Sequence, residues 1–315
     1  MESKNPISER FFNMIPFKPF KPGDRAKYAP YLALAKDKGC EYGFANLCMW
    51  GRQQGAVLEE GLVFFSQFNR KTIYPFPLGE NTKALVERLM EDAKERGIPL
   101  RLTGLLAEDC RRLQSLFPGM FRFHNARSDY DYIYHIEDLA ALKGKTYQSK
   151  RNFANRFQKN HPNCQVVPIG EENRRAVEQM LEIWYAGRQE KDPSEDFHME
   201  KAAVAKALAC REELGIEGIA LMEDGRVLAM TLGSPLTEDT FDIHFEKALD
   251  TEDGAYARIN QAFAGYLMEK YPALRYLNRE DDMGLEGLRK AKLSYHPARL
   301  TEKYWACLKD ACYDY

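Results

Sequence analysis

Five polar residues, Asn278, Arg279, Glu280, Asp281 and Asp282, follow one another where a β-like stretch gives way to a helical pattern. A chain that only closes a core has little use for so dense a run at the carboxyl end of a strand, where open α/β sheets bind ligands. Glu280 or Asp281 could hold a substrate amine there. Arg289 and Lys292, three apart on the helix that follows, could neutralise a phosphate or carboxylate. The same run could instead cap a helix through Asp281 or Asp282, beside a Glu286–Lys290 pair worth about 0.3–0.5 kcal/mol.

A second candidate is "TFDIHFEKAL". Strand alternation sends Phe241, Ile243 and Phe245 to one face and Asp242, His244 and Glu246 to the other. A polar row on a helix-covered strand is costly unless it faces a cleft, where His244 or Glu246 could take a proton from an attacking amine. The competing reading is a wetted row with His244 as hydrogen-bonded scaffold.

The third candidate is electrostatic. Residues 139–170 hold six basic side chains (Lys143, Lys145, Lys150, Arg151, Arg156, Lys159) and no acid. Phe153 and Phe157, four apart, would dock this helix by one face and leave Arg151, Asn155 and Arg156 toward solvent or a cleft. With Lys150 and Asn152 they form a surface suited to an RNA backbone or an anionic head group, or simply a solvated helix. Tyr256 and Asn260, also four apart, lie on the helix "GAYARINQAF", where they could touch a donor or pack.

The rest of the chain narrows the setting. Its 315 residues, 44% hydrophobic and 29% charged, suit two globular domains, and a net charge of −2 gives no bulk pull toward nucleic acid or membrane. No apolar run reaches the roughly 20 residues of a membrane span, and no signal peptide is evident, so a cytoplasmic location is expected. Seven scattered cysteines and six histidines show no metal spacing, so no metal is expected.

Periodicity gives an order for the second half: strand, two helices, three meandering strands joined in part by the turn pair Asp224–Gly225, helix, strand, helix, strand. The first half reads on nearly the same plan, with Asn81 as N-cap of its long helix. A duplicated fold follows from the shared order.

The segments "KTYQSKRNFANRFQKNHP", "HFEKAL", "GAYARINQAF" and "NREDDMGLEGLRKAKLSYHPARLTEKY" resemble the C-terminal domain of phosphatidylglycerol lysyltransferases, relatives of the Fem-type aminoacyltransferases. The resemblance implies a mixed α+β fold of two tandem GNAT-like acyltransferase domains, 1–140 and 163–315, with a basic linker helix over 141–162. It implies that strands 240–249 and 274–278 splay apart around an acyl group, with His244, Glu246, Asn278 and Glu280 catalytic. Lys150, Arg151, Asn152, Tyr256, Asn260, Arg279, Asp281, Arg289 and Lys292 would then bind substrate, and Asn278 would help stabilise an oxyanion.

It further implies aminoacyl-tRNA as donor, contacted by the basic helix 143–159, with no bound cofactor and an unknown amine, hydroxyl or lipid-like acceptor. The glycine loop that grips coenzyme A in GNAT enzymes is replaced here by "DTEDGAYARINQ", and Asp250, Glu252 and Asp253 would repel a pyrophosphate. Acetyl-CoA is therefore disfavoured. A non-catalytic binding protein on the same fold and a CoA-dependent N-acetyltransferase remain the alternatives.

Overall fold

The computed structural model describes residues 14–36, 38–68, 71–189 and 195–309. The chain divides into two compact units, Met1–Asp129 with Glu302–Tyr315, and Tyr130–Thr301. In the first, β1 (Lys18–Pro19), α1 (Arg25–Leu32) and α2 (Phe44–Trp50) precede a meander of β2 (Gln53–Leu58), β3 (Gly61–Phe68), β4 (Lys71–Pro75) and the short β5 (Leu78–Gly79). Then come α3 (Thr82–Arg96), β6 (Arg101–Leu105), α4 (Ala107–Leu116) and β7 (Phe121–Asn125). The Asn81 side chain accepts from the Ala84 N–H at 3.1 Å, the cap expected for α3.

The second unit opens with β8 (Asp131–His135), α5 (Ile136–Ala141) and α6 (Gln148–Asn160). It continues with β9 (Gln165–Pro168), α7 (Glu171–Gln189), α8 (Glu195–Ala209), β10 (Glu217–Glu223), β11 (Arg226–Pro235) and β12 (Thr240–Ala248). After α9 (Ala255–Lys270) come β13 (Tyr276–Asn278), α10 (Glu286–Leu293) and β14 (Arg299–Thr301), and the chain re-enters the first unit as β15 (Tyr304–Leu308). Asp224 and Gly225 both take positive φ, 49° and 76°, which is the two-residue hairpin turn read from sequence. Among the described residues no helix is long and apolar enough to cross a membrane.

The sheets share one strand order. The first runs β1-β2-β3-β4-β6-β15-β7 and the second β9-β10-β11-β12-β13-β8-β14. Position by position each has a meander, one parallel pair (β4–β6, β12–β13), then an antiparallel strand contributed by the other half of the chain. This reciprocal exchange changes the boundaries expected at 140 and 163. Tyr132, Tyr134, Ile136, Leu139, Leu142 and Tyr147 are buried in the second unit's core, so the first unit ends at Asp129 and α6 is no linker.

The basic helix α6 is docked on α9. Ala154 and Phe157 are buried, but Phe153 is 38% exposed, so the expected Phe153–Phe157 face is not the one that packs. The contact is close at Gly254, whose φ is 85° and whose ideal Cβ would lie 2.1 Å from the Phe153 carbonyl oxygen. An alanine there meets both the left-handed penalty and a backbone collision. Gly254→Ala should lower unfolding free energy by about 2 kcal/mol or more in urea titration. Gly187→Ala, in an open helical position, should be neutral or stabilising by up to about 1 kcal/mol. Equal midpoints for the two variants would refute the close approach.

Candidate active site

The polar interior of the second unit forms where two parallel strands part. β12 and β13 pair only through Thr240↔Tyr276, Phe241↔Leu277 and Asp242↔Asn278. Beyond Asp242, β12 continues to Ala248 while β13 has ended, so that flank of β12 has no backbone partner and is met by the side chains of Arg279 and Glu280. Gly233 opposite this point would bring a Cβ within 2.3 Å of the Asp242 carbonyl oxygen, so glycine lets the strands approach.

A bulge sits at the same place. The register runs Gly233↔Ile243 and then Leu232↔Phe245, so His244 is an extra residue on β12. Alternation is reset across it. Phe241 and Ile243 belong to the core under α9, as do the paired Ala229 and Ala248. Glu246, two residues from Ala248, therefore faces α9 too, and it bonds Asn260 there. His244 shares the opposite face with Asp242 and Ser234. The expected single row of Asp242, His244 and Glu246 is thus divided between two faces.

Consecutive residues after β13 serve the two faces. Arg279 Nη2 donates to Glu246 Oε1 at 3.0 Å, and Asn260 Nδ2 donates to Glu246 Oε2 at 3.1 Å. The Arg279 guanidinium lies over Tyr295 (4.8 Å) and Tyr134 (5.7 Å). Burial works against this cation, but Glu246 and the two rings outweigh it and hold its pKa above the usual arginine value. On the other face, Glu280 Oε1 lies 3.1 Å from His244 Nδ1, and Asp242 lies 3.5 Å from the same nitrogen. Two carboxylates on Nδ1 place the ring proton there, leaving Nε2, 2.9 Å away, to accept from Ser234 Oγ. His244 is thereby a buried orienting group, and Glu280 is the more exposed member of the pair.

The turn that splits the two side chains is over-determined. Glu280 has φ 54°, an unfavourable left-handed conformation for a residue with Cβ. Its N–H donates to Asn278 Oδ1 at 2.7 Å, while Asn278 Nδ2 donates to Asp131 at 2.8 Å. Lys292 Nζ donates to the carbonyls of Arg279 and Asp281, on either side of Glu280. Burial, followed by repulsion from Arg279, lowers the Lys292 pKa. The Arg279 N–H donates to the Tyr132 carbonyl and the Tyr132 N–H donates to the Glu280 carbonyl, which completes the clamp.

Several candidates are thus builders of the turn. Asn278 is engaged by Asp131 and Glu280, Lys292 by carbonyls, and Arg289 by Asp282 at 2.8 and 2.9 Å. Asp281 Oδ1 accepts the Met283 N–H at 3.0 Å. Neither Asp281 nor Asp282 caps α10, whose N-cap is Leu285, though the Glu286–Lys290 pair is present at 2.6 Å. Leu285 is 55% exposed and Ala291 is exposed, so these apolar side chains do not bury α10.

Helix α6 meets expectation in part: Asn155 and Arg156 are exposed, while Arg151 is half-buried. Arg151 caps the carbonyls of Leu142 and Gly144, and Arg156 bonds Asp253 at 2.6 Å. Lys150 lies 4.1 Å over Tyr295, where burial and then Arg279 lower its pKa. Asn152 lines an open groove of about 470 Å³ with Lys145, Thr146, Gln148, Ser149, Phe153 and Arg156. Tyr256 Oη accepts from Trp184 Nε1 at 3.2 Å. Sequence reasoning missed Asp131, Tyr132 and Tyr134, because the alternating tyrosines of "YDYIYH" belong to a strand it gave to the other sheet. It also missed Ser234 and Tyr295.

The sheet order and parted strands define a tandem fold of the GNAT and Fem-type acyltransferases. The chain aligns with FemX at 10% identity over 90% of this chain and 96% of that one, TM-score 0.57. With L-PGS from Bacillus licheniformis it shares 15% identity over 93% of each chain, TM-score 0.65. Residues 32–307 match the family "Phosphatidylglycerol lysyltransferase, C-terminal", and the chain belongs to that family. A conserved protein of unknown function from Bacteroides thetaiotaomicron VPI-5482 is 39% identical, over 94% of this chain and all of that one, TM-score 0.85. No curated protein matches.

Asp282 gives the site a testable acid sensitivity. Burial alone would raise its pKa, but hydrogen bonds from Arg289, Tyr132 Oη (2.6 Å) and the Gly284 N–H (2.9 Å) bring it from 3.8 down to about 2. The folded value lies below the unfolded one. The stabilisation is therefore complete above about pH 4 and is lost as pH falls through about 2. Asp282→Asn should lose about 2 kcal/mol at neutral pH and show a flatter acid limb in urea titrations between pH 5 and 2. An acid limb of unchanged slope would refute the assignment.

Proposed function

We propose that the chain is an aminoacyl transferase that moves an activated aminoacyl group from aminoacyl-tRNA to an amine or hydroxyl acceptor at the β12–β13 gap. The observation that carries this reading is the parting of the two strands with Arg279–Glu246 on one face and Glu280–His244 on the other. Glu280, oriented by His244, takes the proton from the acceptor as its nitrogen or oxygen bonds to the ester carbonyl carbon. Arg279 steadies the negative charge on the carbonyl oxygen. The ester C–O bond then breaks, and the proton passes from Glu280 to the leaving ribose oxygen.

The start of α9 supports a donor other than acetyl-CoA. In place of a phosphate-binding glycine loop, α6 backbone lies against Gly254. The acids Asp250, Glu252 and Asp253 are paired with Arg188, His161 and Arg156. A pyrophosphate would have to displace that helix and those pairs. The groove along α6, with Lys145 and the exposed Lys143 and Lys159 nearby in sequence, supports an RNA backbone as the partner.

Glu280→Gln should slow the loss of label from a mixed pool of radiolabelled aminoacyl-tRNA, supplied with lipid and small-amine acceptors, by about 10²-fold or more. Affinity for the tRNA should not change. If the wild-type protein consumes no charged tRNA and is stabilised against heat by acetyl-CoA, the donor assignment is refuted.

Replacing Lys145 and Lys159 together by Ala should reduce the slope of log affinity for tRNA against log salt by roughly 1.5–2. An unchanged slope removes α6 from the RNA interface.

A further inference from the structure

We infer that Asn260 and Arg279 together read an amino group placed next to a carbonyl, which makes them the selectivity element for aminoacyl over plain acyl groups. The inference rests on the transferase reading and deepens it. Two buried atoms of the side chains that bond Glu246, Asn260 Oδ1 and Arg279 Nη1, have no hydrogen-bond partner among the described residues. Each belongs to a side chain whose other end holds Glu246, at 3.1 and 3.0 Å. The Asn260 residue is only 3% exposed.

The assignment of that amide is fixed by chemistry. A carboxylate only accepts, so Nδ2 must face Glu246 and Oδ1 must turn away from it. One buried acceptor and one buried donor are thus left unmet on either side of a single carboxylate. Leaving such an atom unmet is costly, and native interiors keep few of them.

A ligand that satisfies both atoms carries a carbonyl oxygen for Arg279 Nη1 and an N–H donor for Asn260 Oδ1. An α-amino acyl group has these on adjacent carbons, and its ammonium gains from the Glu246 charge. An acetyl or fatty acyl group offers the oxygen but leaves Oδ1 buried and unmet. Sites built to bond an N–H discriminate strongly against analogues that lack it, for this reason.

Isothermal titration of the full chain with the L-amino acid amides, each paired with its des-amino carboxamide, tests the proposal without any turnover. At least one amide should bind, and its des-amino partner should bind at least about tenfold more weakly. Asn260→Leu should bring the two affinities within about threefold, with circular dichroism and thermal unfolding checking that the variant folds. The wild-type comparison stands even if it does not. Equal binding of amide and des-amino partner, no binding of any amide at millimolar concentration, or an intact preference in Asn260→Leu overturns the inference and leaves the two atoms to ordered water. Amine preference without consumption of charged tRNA keeps the inference and removes the transferase reading. Consumption without amine preference does the reverse.

Discussion

A buried guanidinium tied to one carboxylate across two strands that no longer pair is the constraint on which the polar interior of the second unit depends. Taking Arg279 and Glu246 out of water is expensive, and their mutual attraction offsets that cost only if further partners are supplied. Asn260 provides one hydrogen bond, and the faces of Tyr134 and Tyr295 provide favourable quadrupoles. The accounting stays incomplete, because Arg279 Nη1 and Asn260 Oδ1 lack partners among the described residues. A stable fold has no reason to select this arrangement over apolar packing, and the ligand proposed above would complete the network.

The first unit shows what the same backbone does without that demand. Its strands β4 and β6 pair through Tyr74↔Leu102 and Pro75↔Thr103, and the chain then runs through Phe76, Pro77 and Leu78 to pair again with β3. Phe76 and Leu78 are buried apolar side chains where the second unit has a bulge, a histidine and a glutamate. Identical strand order with opposite chemistry at one position is the expected result of a duplication in which one copy keeps a polar cluster and the other keeps an apolar core.

Local signals were legible in the sequence and long-range ones were not. The cap at Asn81, the Asp224–Gly225 turn, the element order and the parting of the strands follow from residue types, spacing and the family likeness. The exchange of β8 and β15 does not, because "YDYIYH" and "YWACL" carry strand propensity but nothing that names a partner sheet. The bulge at His244 is a one-residue event, and alternation counted through it sends Glu246 to the wrong face. Just before α10, Met283 and Leu285 are more than half exposed, because the helix is anchored through Asp282, Arg289 and Lys292 instead. Burial of charge overrode burial of leucine there.

The anchoring explains why so many ionisable residues crowd a short segment. On the proposed mechanism only one of them, Glu280, presents its carboxylate to substrate, and it does so from a left-handed backbone that a glutamate does not adopt unaided. Holding that conformation takes an acceptor for its N–H, cations on the carbonyls beside it, and a strand alongside. Asn278, Lys292 and β8 meet these needs, while Asp282 fixes the start of the helix from which Lys292 reaches back. The reward is angular: two successive side chains leave the turn toward opposite faces of the sheet, so a single short loop furnishes both the cation that can receive developing negative charge and the carboxylate that can remove a proton. A regular strand would also send neighbours to opposite faces, but it would have to keep pairing with β12 and so close the gap between them.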